Sequence, residues 1–213
     1  MADFASLRAR MVERQLRRRG IDDERVLEAM GQVPREAFVP VRQRHRAYAD
    51  SALPIDAEQT ISQPWIVAAI CQALELRGFE RVLEVGTGSG YSACVLAQLA
   101  AEVISVERHE TLALQAREAL ASLAVTNVEL AIGDGSRGLP ERAPFEAIAV
   151  HATAPAPPPA LISQLADSGR LVIPIASDDE TDLLTLLRRR GDKVETEAIS
   201  PARFVPLIGE EGF

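Results

Sequence analysis

Three glycines at alternate positions constrain this chain more than any other feature. Gly86, Gly88 and Gly90 follow an apolar run at 81–85, and a helical pattern over 90–100 comes directly after them. Glycine allows a tight backbone turn and the close approach of a ligand that a Cβ atom would exclude. The start of a helix behind such a loop offers unpaired N–H groups. A strand, a glycine loop and a helix in this order predict a nucleotide-type cofactor site at a sheet edge.

Acidic residues near the ends of three successive apolar runs indicate which cofactor this is. Glu84 precedes the first glycine by two positions, where a carboxylate can pair with the amino group that S-adenosylmethionine carries. Glu107 lies about 20 residues further on, the spacing at which a carboxylate binds ribose hydroxyls. Asp134, after the third run, or its backbone, can accept from an adenine amino group. The alternative is that each is an ordinary solvated charge.

Composition limits the class of protein. A chain of 213 residues with 47% hydrophobic residues suits one domain with a substantial core. Its net charge of −8 argues against non-specific binding to nucleic acid. Cys71 and Cys94 lie in apolar helical patterns and predict buried free thiols rather than a disulfide framework. No metal-ligand spacing and no run of 18 apolar residues occurs, so we expect a cytoplasmic protein that uses no metal or membrane.

Strands and helices alternate from residue 81 onward, which predicts an α/β fold with a doubly wound, mostly parallel sheet. The tail predicts an antiparallel C-terminal hairpin of 182–187 and 194–199, preceded by a solvated turn at 178–180. The remaining predicted strands are 81–85, 102–106, 128–132, 145–151 and 169–175, and the predicted helices are 90–100, 110–123 and 158–166.

The first 62 residues predict a helical and loop region over the active site, with 63–213 as the cofactor-binding core of a single domain, 1–213. Helical spacing covers 5–19 and a second helix starts at Asp22 and Asp23. A short helix or turn is expected at 33–40 and an irregular segment at 48–63. Ser62 has the sequence context of a helix N-cap.

The whole pattern resembles the class I S-adenosylmethionine-dependent methyltransferases, and within them the protein-L-isoaspartate O-methyltransferase family. The resemblance covers nearly the whole chain. Its most specific segments are 60–64 (Thr-Ile-Ser-Gln-Pro) and 203–207 (Arg-Phe-Val-Pro-Leu); the glycine loop alone is shared by many methyltransferases. Further matches are 12–16, 19–21, 33–40, 47–50, 53–55, 133–135 and 169–174.

This resemblance implies an enzyme that methylates the free α-carboxylate of isoaspartyl residues in damaged proteins or peptides, after which the ester closes to a succinimide. It implies Ser62 beside the reacting groups, with Thr60, Ile61 and His151 as further candidates on the acceptor side. It implies a cofactor site made by Glu84, Gly86, Thr87, Gly88, Ser89, Gly90, Glu107, Asp134 and Gly135. We expect a monomer.

Two segments depart from the family pattern. Residues 56–58 (Asp-Ala-Glu) replace a glycine-rich stretch, and 150–155 replace a run that begins with threonine and continues with small residues. We expect both to face the acceptor. His151 can bind a substrate anion or act as a base, whereas the simpler interpretation is a strand-end residue bonded to backbone.

Three alternatives remain open from the sequence. The first is a methyltransferase of the same fold that acts on another small-molecule or peptide carboxylate or hydroxyl. The second is a nicotinamide-dependent oxidoreductase, which the glycine spacing and Glu84 disfavour. The third is a binding protein that retains the cofactor pocket without turnover.

Overall fold

A seven-stranded sheet forms the centre of the molecule. The computed structural model describes residues 3–177 and 181–213, so the turn expected at 178–180 lies outside the described residues. The strands are β1 (Leu53–Pro54), β2 (Thr60–Ile61), β3 (Arg81–Val85), β4 (Glu102–Glu107), β5 (Val128–Ile132), β6 (Phe145–Val150), β7 (Leu165–Ile175), β8 (Asp182–Arg190) and β9 (Lys193–Ala202).

The strand order of the large sheet is β5-β4-β3-β6-β7-β8-β9. The first five of these run parallel, and β8 and β9 are antiparallel additions at one edge. Both the doubly wound parallel sheet and the antiparallel C-terminal hairpin are therefore confirmed. β3 pairs with β4 on one side and with β6 on the other. The strands from β3 to β5 therefore extend the sheet in one direction, and those from β6 to β9 extend it in the other. Such a switch point opens a crevice at the carboxyl ends of the strands.

Six α-helices are described, three before β3 in the chain and three between later strands of the large sheet. They are α1 (Phe4–Met11), α2 (Glu24–Gln32), α3 (Pro64–Leu74), α4 (Tyr91–Ala97), α5 (Glu110–Ser122) and α6 (Pro159–Ser163). After α1 the chain continues as π-helix and 3₁₀-helix until Gly20, so the helical segment expected over 5–19 is confirmed. Among the described residues, no helix combines the length and apolar character needed to cross a membrane.

Alternate residues of β3 enter two different cores. Val82 belongs to the cluster that contains Ile70 of α3, whereas Leu83 and Val85 belong to the cluster that contains Leu161 of α6. A strand that is buried on both faces is apolar at nearly every position. This explains why the parallel strands were recognisable as continuous apolar runs.

Three element predictions were wrong in detail. α3 begins at Pro64 with Gln63 as its N-cap, so Ser62 is not the cap; proline at the first helical position has a suitable φ and needs no N–H partner. The expected irregular segment contains β1 and β2, which pair antiparallel but are too short to show periodicity. The helix expected over 158–166 ends at Ser163, because the chain then joins β7, where Leu165 pairs with Phe145.

The hairpin strands are also longer than expected. Residues 188–190 and Lys193, which lie between the two predicted strands, are paired across β8 and β9. Only Gly191 and Asp192 remain at the tip, and Gly191 has a φ of +59°. Cys71 and Cys94 are both buried free thiols.

Candidate active site

The glycine loop lies at the carboxyl end of β3, as its spacing predicts. Gly86, Gly88 and Gly90 have φ values of +91°, +53° and +85°, all in the left-handed region that favours glycine. A Cβ atom on Gly90 would lie 3.1 Å from the Cβ atom of Ala116. The loop therefore needs glycine both for its backbone conformation and for its packing against α5.

An open cavity of about 770 Å³, counted with the solvent at its mouth, lies above this loop. The predicted site residues that line it are Thr60, Ile61, Ser62, Gly86, Thr87, Gly88, Ser89, Glu107, Gly135 and His151. Glu84, Gly90 and Asp134 are not part of the lining, and their contacts with a cofactor stay predictions.

Glu107 is held at the cavity wall by backbone hydrogen bonds. Its carboxylate oxygens accept from the N–H of Gly88 at 2.8 Å and from the N–H of His109 at 2.9 Å. Each oxygen keeps a further lone pair, because an ionised carboxylate accepts at about four sites. Glu107 is 5% exposed. The carboxylate is therefore fixed in orientation and can accept from ligand hydroxyls.

Glu84 is fully buried beneath the loop and belongs to a polar chain. Its Oε2 accepts from the Ser105 hydroxyl at 2.5 Å, and the Ser105 oxygen lies 2.5 Å from the Thr87 hydroxyl. Since Ser105 donates to Glu84, Thr87 donates to Ser105. Thr87 itself lines the cavity. This series of hydrogen bonds connects the buried Glu84 side chain to the glycine loop. Thr87, and not Glu84, is the member that reaches the cavity.

Asp134 shapes the loop after β5. It caps the turn Gly135–Arg137 and accepts from the N–H and hydroxyl of Ser136 and from the N–H of Glu210. Burial alone would raise the pKa of Asp134, but these hydrogen bonds and the charge of Arg137 lower it below its ordinary value. Gly135 reaches the cavity, and a Cβ atom there would lie 2.4 Å from Val85 Cγ1.

A second groove, of about 810 Å³, joins the cavity on the side of α3. Arg19, Trp65 and the end of the hairpin at 200–205 contribute to its walls. Trp65 is half-buried, donates from Nε1 to the Arg19 carbonyl and lies under the Arg19 guanidinium at 5.1 Å. The residues that line both spaces are Thr60, Ser62, His151 and Val205. A cofactor in the cavity and an acceptor in the groove would therefore meet beside Ser62.

The ring of His151 contacts side chains, whereas the backbone of this strand-end residue bonds to the sheet. Its Nε2 lies 2.8 Å from the Ser92 hydroxyl and 3.3 Å from Glu84 Oε1. Its backbone N–H continues the sheet by donating to the carbonyl of Val85. The side chain is 6% exposed and lines both spaces.

Residues 56–58 line neither the cavity nor the groove, so their expected position facing the acceptor stays a prediction. Asp56 lies in a separate depression beside Ser89 and accepts from Gln115 Nε2 at 2.9 Å. Ala57 and Glu58 have φ values of +53° and +57°, and the N–H of Gln59 donates to the carbonyl of Asp56. Two residues with left-handed backbone angles, placed between the hydrogen-bonded Asp56 and Gln59, form a type I′ turn. The turn directs these residues away from the lining of the cavity and of the groove.

Sequence reasoning assigned no role to the C-terminal segment that closes the cavity. Residues 205–208 line it and are held by Thr153, whose N–H donates to the carbonyl of Val205 and whose carbonyl accepts from the N–H of Leu207. The signal was present, since 203–207 is one of the two family-specific motifs. His109 also lines the cavity.

The family model for protein-L-isoaspartate(D-aspartate) O-methyltransferase matches residues 7–212 of this chain. The chain belongs to that family. This match spans both the N-terminal region and the sheet, and so includes every wall of the cavity and the groove. The family resemblance predicted from residues 60–64 and 203–207 is thus confirmed.

Relatives in this methyltransferase family are similar to the chain over most of their length. The chain is 54% identical to protein-L-isoaspartate O-methyltransferase 1 of Rhodopseudomonas palustris, over 99% of this chain and 86% of the relative. It is 49% identical to the protein-L-isoaspartate O-methyltransferase of Koribacter versatilis, over 100% of this chain and 96% of the relative.

Two solved structures of the family share the fold. One protein-L-isoaspartate O-methyltransferase has a TM-score of 0.85 at 28% identity, covering 96% of this chain and 67% of that one. A putative family member from Plasmodium falciparum, solved in complex with S-adenosyl-L-homocysteine, has a TM-score of 0.82 at 27% identity, covering 98% and 99%. S-adenosylmethionine is the cofactor of this enzyme family.

Proposed function

We propose that this chain transfers a methyl group from S-adenosylmethionine to the free α-carboxylate of L-isoaspartyl residues in damaged proteins and peptides. The observation that carries the proposal is the junction of the cavity and the groove at Thr60, Ser62 and His151, in a chain of this family. Methylation of that carboxylate opens a route through a succinimide back to aspartate. We also propose that the protein acts as a monomer in the cytoplasm.

The residues of the cavity fit the cofactor. Glu107 offers fixed acceptor sites for ribose hydroxyls, and the glycine loop allows close approach of the methionine part. Val85, Val106 and Ile208 give apolar walls. When bound, S-adenosylmethionine supplies an electrophilic methyl group on a sulfonium sulfur.

The chemistry asks little of the protein beyond alignment. The acceptor carboxylate has a reference pKa near 4, so it is ionised at neutral pH and needs no general base. The sulfur leaves as a neutral thioether, so no proton has to be supplied to it. Holding two reactants in line contributes roughly 7–11 kcal/mol in well-oriented systems. The part of this chain is therefore to place the acceptor at the junction and exclude water from it.

Ser62 is the residue proposed to position the acceptor carboxylate. It follows β2 and precedes α3, so both elements fix its backbone. It lines both spaces, is only partly buried, and no described residue forms a hydrogen bond with its side chain. Its hydroxyl is therefore free to donate to a carboxylate oxygen.

Product analysis tests the reaction. An isoaspartyl peptide is incubated with S-adenosylmethionine and the protein, and the products are identified by mass spectrometry. We expect an α-carboxyl methyl ester, which then releases methanol as it closes to a succinimide. Ser62→Ala should lower kcat/KM for the peptide by roughly tenfold, the loss of about one hydrogen bond to a charged group, with cofactor binding unchanged. Ser122→Ala, on the exposed side of α5, is the matched control. Methylation at any other group would contradict the proposal.

A further inference from the structure

His151 stands between the buried polar chain and the junction, and its ring is held in one orientation. Nε2 contacts the Ser92 hydroxyl at 2.8 Å and Glu84 Oε1 at 3.3 Å. Gly86 packs closely against the Cβ atom of His151, since a Cβ atom added to Gly86 would lie 3.5 Å from it. The ring therefore has one nitrogen committed to the protein.

The position of the ring hydrogen follows from Glu84. Oε1 of Glu84 is buried, lies 3.3 Å from His151 Nε2 and accepts no hydrogen bond from any described residue. A carboxylate oxygen only accepts, and a lone pair on Nε2 at 3.3 Å would repel it. A single ring hydrogen therefore belongs on Nε2, where it is donated to the Ser92 hydroxyl. Nδ1 then carries a lone pair and can only accept.

Nδ1 has no partner among the described residues, and it does not belong to their buried unpaired atoms. Because the ring lines both spaces, this acceptor is available at their junction. A ligand group that binds there must bring an N–H or O–H donor. A second carboxylate oxygen would be rejected.

An isoaspartyl residue carries such a donor next to the group to be methylated. Its α-carboxylate and its backbone N–H are attached to the same carbon atom. We propose that His151 Nδ1 accepts the backbone N–H of the isoaspartyl residue while Ser62 holds the carboxylate. This two-point contact fixes the rotation of the carboxylate about its bond to the α-carbon. The inference rests on the proposed function and makes His151 a residue that determines acceptor specificity, with Glu84 and Ser92 as positioning residues.

The departure of this chain from its family pattern includes this residue. Residues 150–155, which contain His151, replace a family run that begins with threonine. A threonine hydroxyl is also able to accept from an N–H.

A cycle of peptide and protein variants tests the contact. The peptides share one sequence and carry either isoaspartate or N-methyl isoaspartate, which lacks the donor. The proteins are wild type, His151→Leu and His151→Gln, whose amide oxygen can accept, with exposed His45→Gln as the matched control. Calorimetry gives the Kd of each peptide for protein loaded with S-adenosyl-L-homocysteine, and the Kd of S-adenosyl-L-homocysteine alone.

We expect N-methylation to weaken binding to wild type by about tenfold, the effect of one hydrogen bond. His151→Leu should bind the unmethylated peptide about tenfold more weakly and show no further loss with the methylated one. His151→Gln should recover part of the loss, and the Kd of S-adenosyl-L-homocysteine should stay within about twofold.

Two results would overturn the inference and separate it from the proposed function. If N-methylation weakens binding to wild type and to His151→Leu by the same factor, the contact is absent although the isoaspartyl reaction stands. If wild type neither binds nor methylates the isoaspartyl peptide, both fail. In imidazole ¹⁵N spectra, where the chain has only three histidines to assign, the Nδ1 signal of His151 should move with the isoaspartyl peptide and not with its N-methyl form.

Discussion

At the scale of single residues, Glu107 carries the most direct prediction for cofactor binding. Glu107→Gln replaces a carboxylate oxygen by an NH₂ group that cannot accept from Gly88 or His109. We expect S-adenosylmethionine to bind about ten to a hundred times more weakly, which corresponds to ~1.5–3 kcal/mol for a hydrogen bond to a charged group. Calorimetric titration measures this Kd directly.

The control residue is Glu102, at the opposite end of β4 from Glu107. Glu102 forms surface ion pairs with Arg81 and Arg142 and is remote from the cavity lining. Glu102→Gln should leave the Kd for S-adenosylmethionine within about twofold, since exposed ion pairs contribute little. Equal binding by the Glu107 and Glu102 variants would remove Glu107 from the cofactor site.

Asp134 carries a prediction about pH. Its pKa is lower in the folded chain than the unfolded value near 3.9, so its contribution to stability is present above about pH 4 and is lost as the pH falls through the lowered folded value. Asp134→Ala should reduce the free energy of unfolding by about 0.5–2 kcal/mol at pH 7, as for other lost caps. Urea unfolding between pH 7 and pH 3 measures the difference.

That difference should shrink below about pH 4. Asp192→Ala at the exposed hairpin tip should change the free energy of unfolding by less than about 0.5 kcal/mol. A difference between wild type and Asp134→Ala that grows on acidification would refute this account of the cap.

Some site residues were predictable from the sequence and others were not. The three glycines leave a signature because their backbone angles exclude other residues, and Glu107 follows from its distance along the chain. Ser92 and Ser105, which hold His151 and Glu84, leave none. A single serine on a helix or strand becomes a partner only when the sheet brings distant segments together.

At the scale of elements, the turn between β1 and β2 holds non-glycine residues in a conformation that glycine favours. Left-handed angles cost other residues roughly 1–2 kcal/mol each, partly offset in glycine by its larger loss of backbone entropy. Glu58→Gly should therefore raise the free energy of unfolding by about 0.5–1 kcal/mol. Thermal unfolding should show a midpoint higher by about 1–4 °C.

Glu58→Ala provides the comparison, since it removes the carboxylate but keeps the angle penalty. We expect it to leave the midpoint unchanged within about 1 °C. If both variants stabilise equally, the charge rather than the backbone is responsible. Methyl transfer should be unaffected in both, because the turn faces away from the cavity and the groove.

Element boundaries failed where pairing overrides local preference. β7 begins at Leu165, within a segment of helical pattern, because Phe145 supplies its partner across the sheet. β1 and β2 have two residues each and owe their conformation to one another. The long parallel strands were predicted well because burial on both faces makes every position apolar.

At the scale of the whole molecule, cofactor binding should stabilise the folded chain. S-adenosylmethionine at a hundred times its Kd should add about 2.7 kcal/mol, or roughly 5–11 °C in the unfolding midpoint of a chain of this length. Nicotinamide cofactors at the same concentration should give no shift. A shift with the nicotinamide cofactor alone would support the oxidoreductase that the glycine spacing disfavours.

The most direct test of the central claim compares two peptides that differ only in one linkage. Methyl transfer from labelled S-adenosylmethionine is measured to an isoaspartyl peptide and to the same sequence with normal aspartate. We predict transfer to the isoaspartyl peptide alone, because only there are the α-carboxylate and its adjacent N–H free to reach Ser62 and His151 together. Bound cofactor with no transfer to either peptide, or equal transfer to both, would contradict the account.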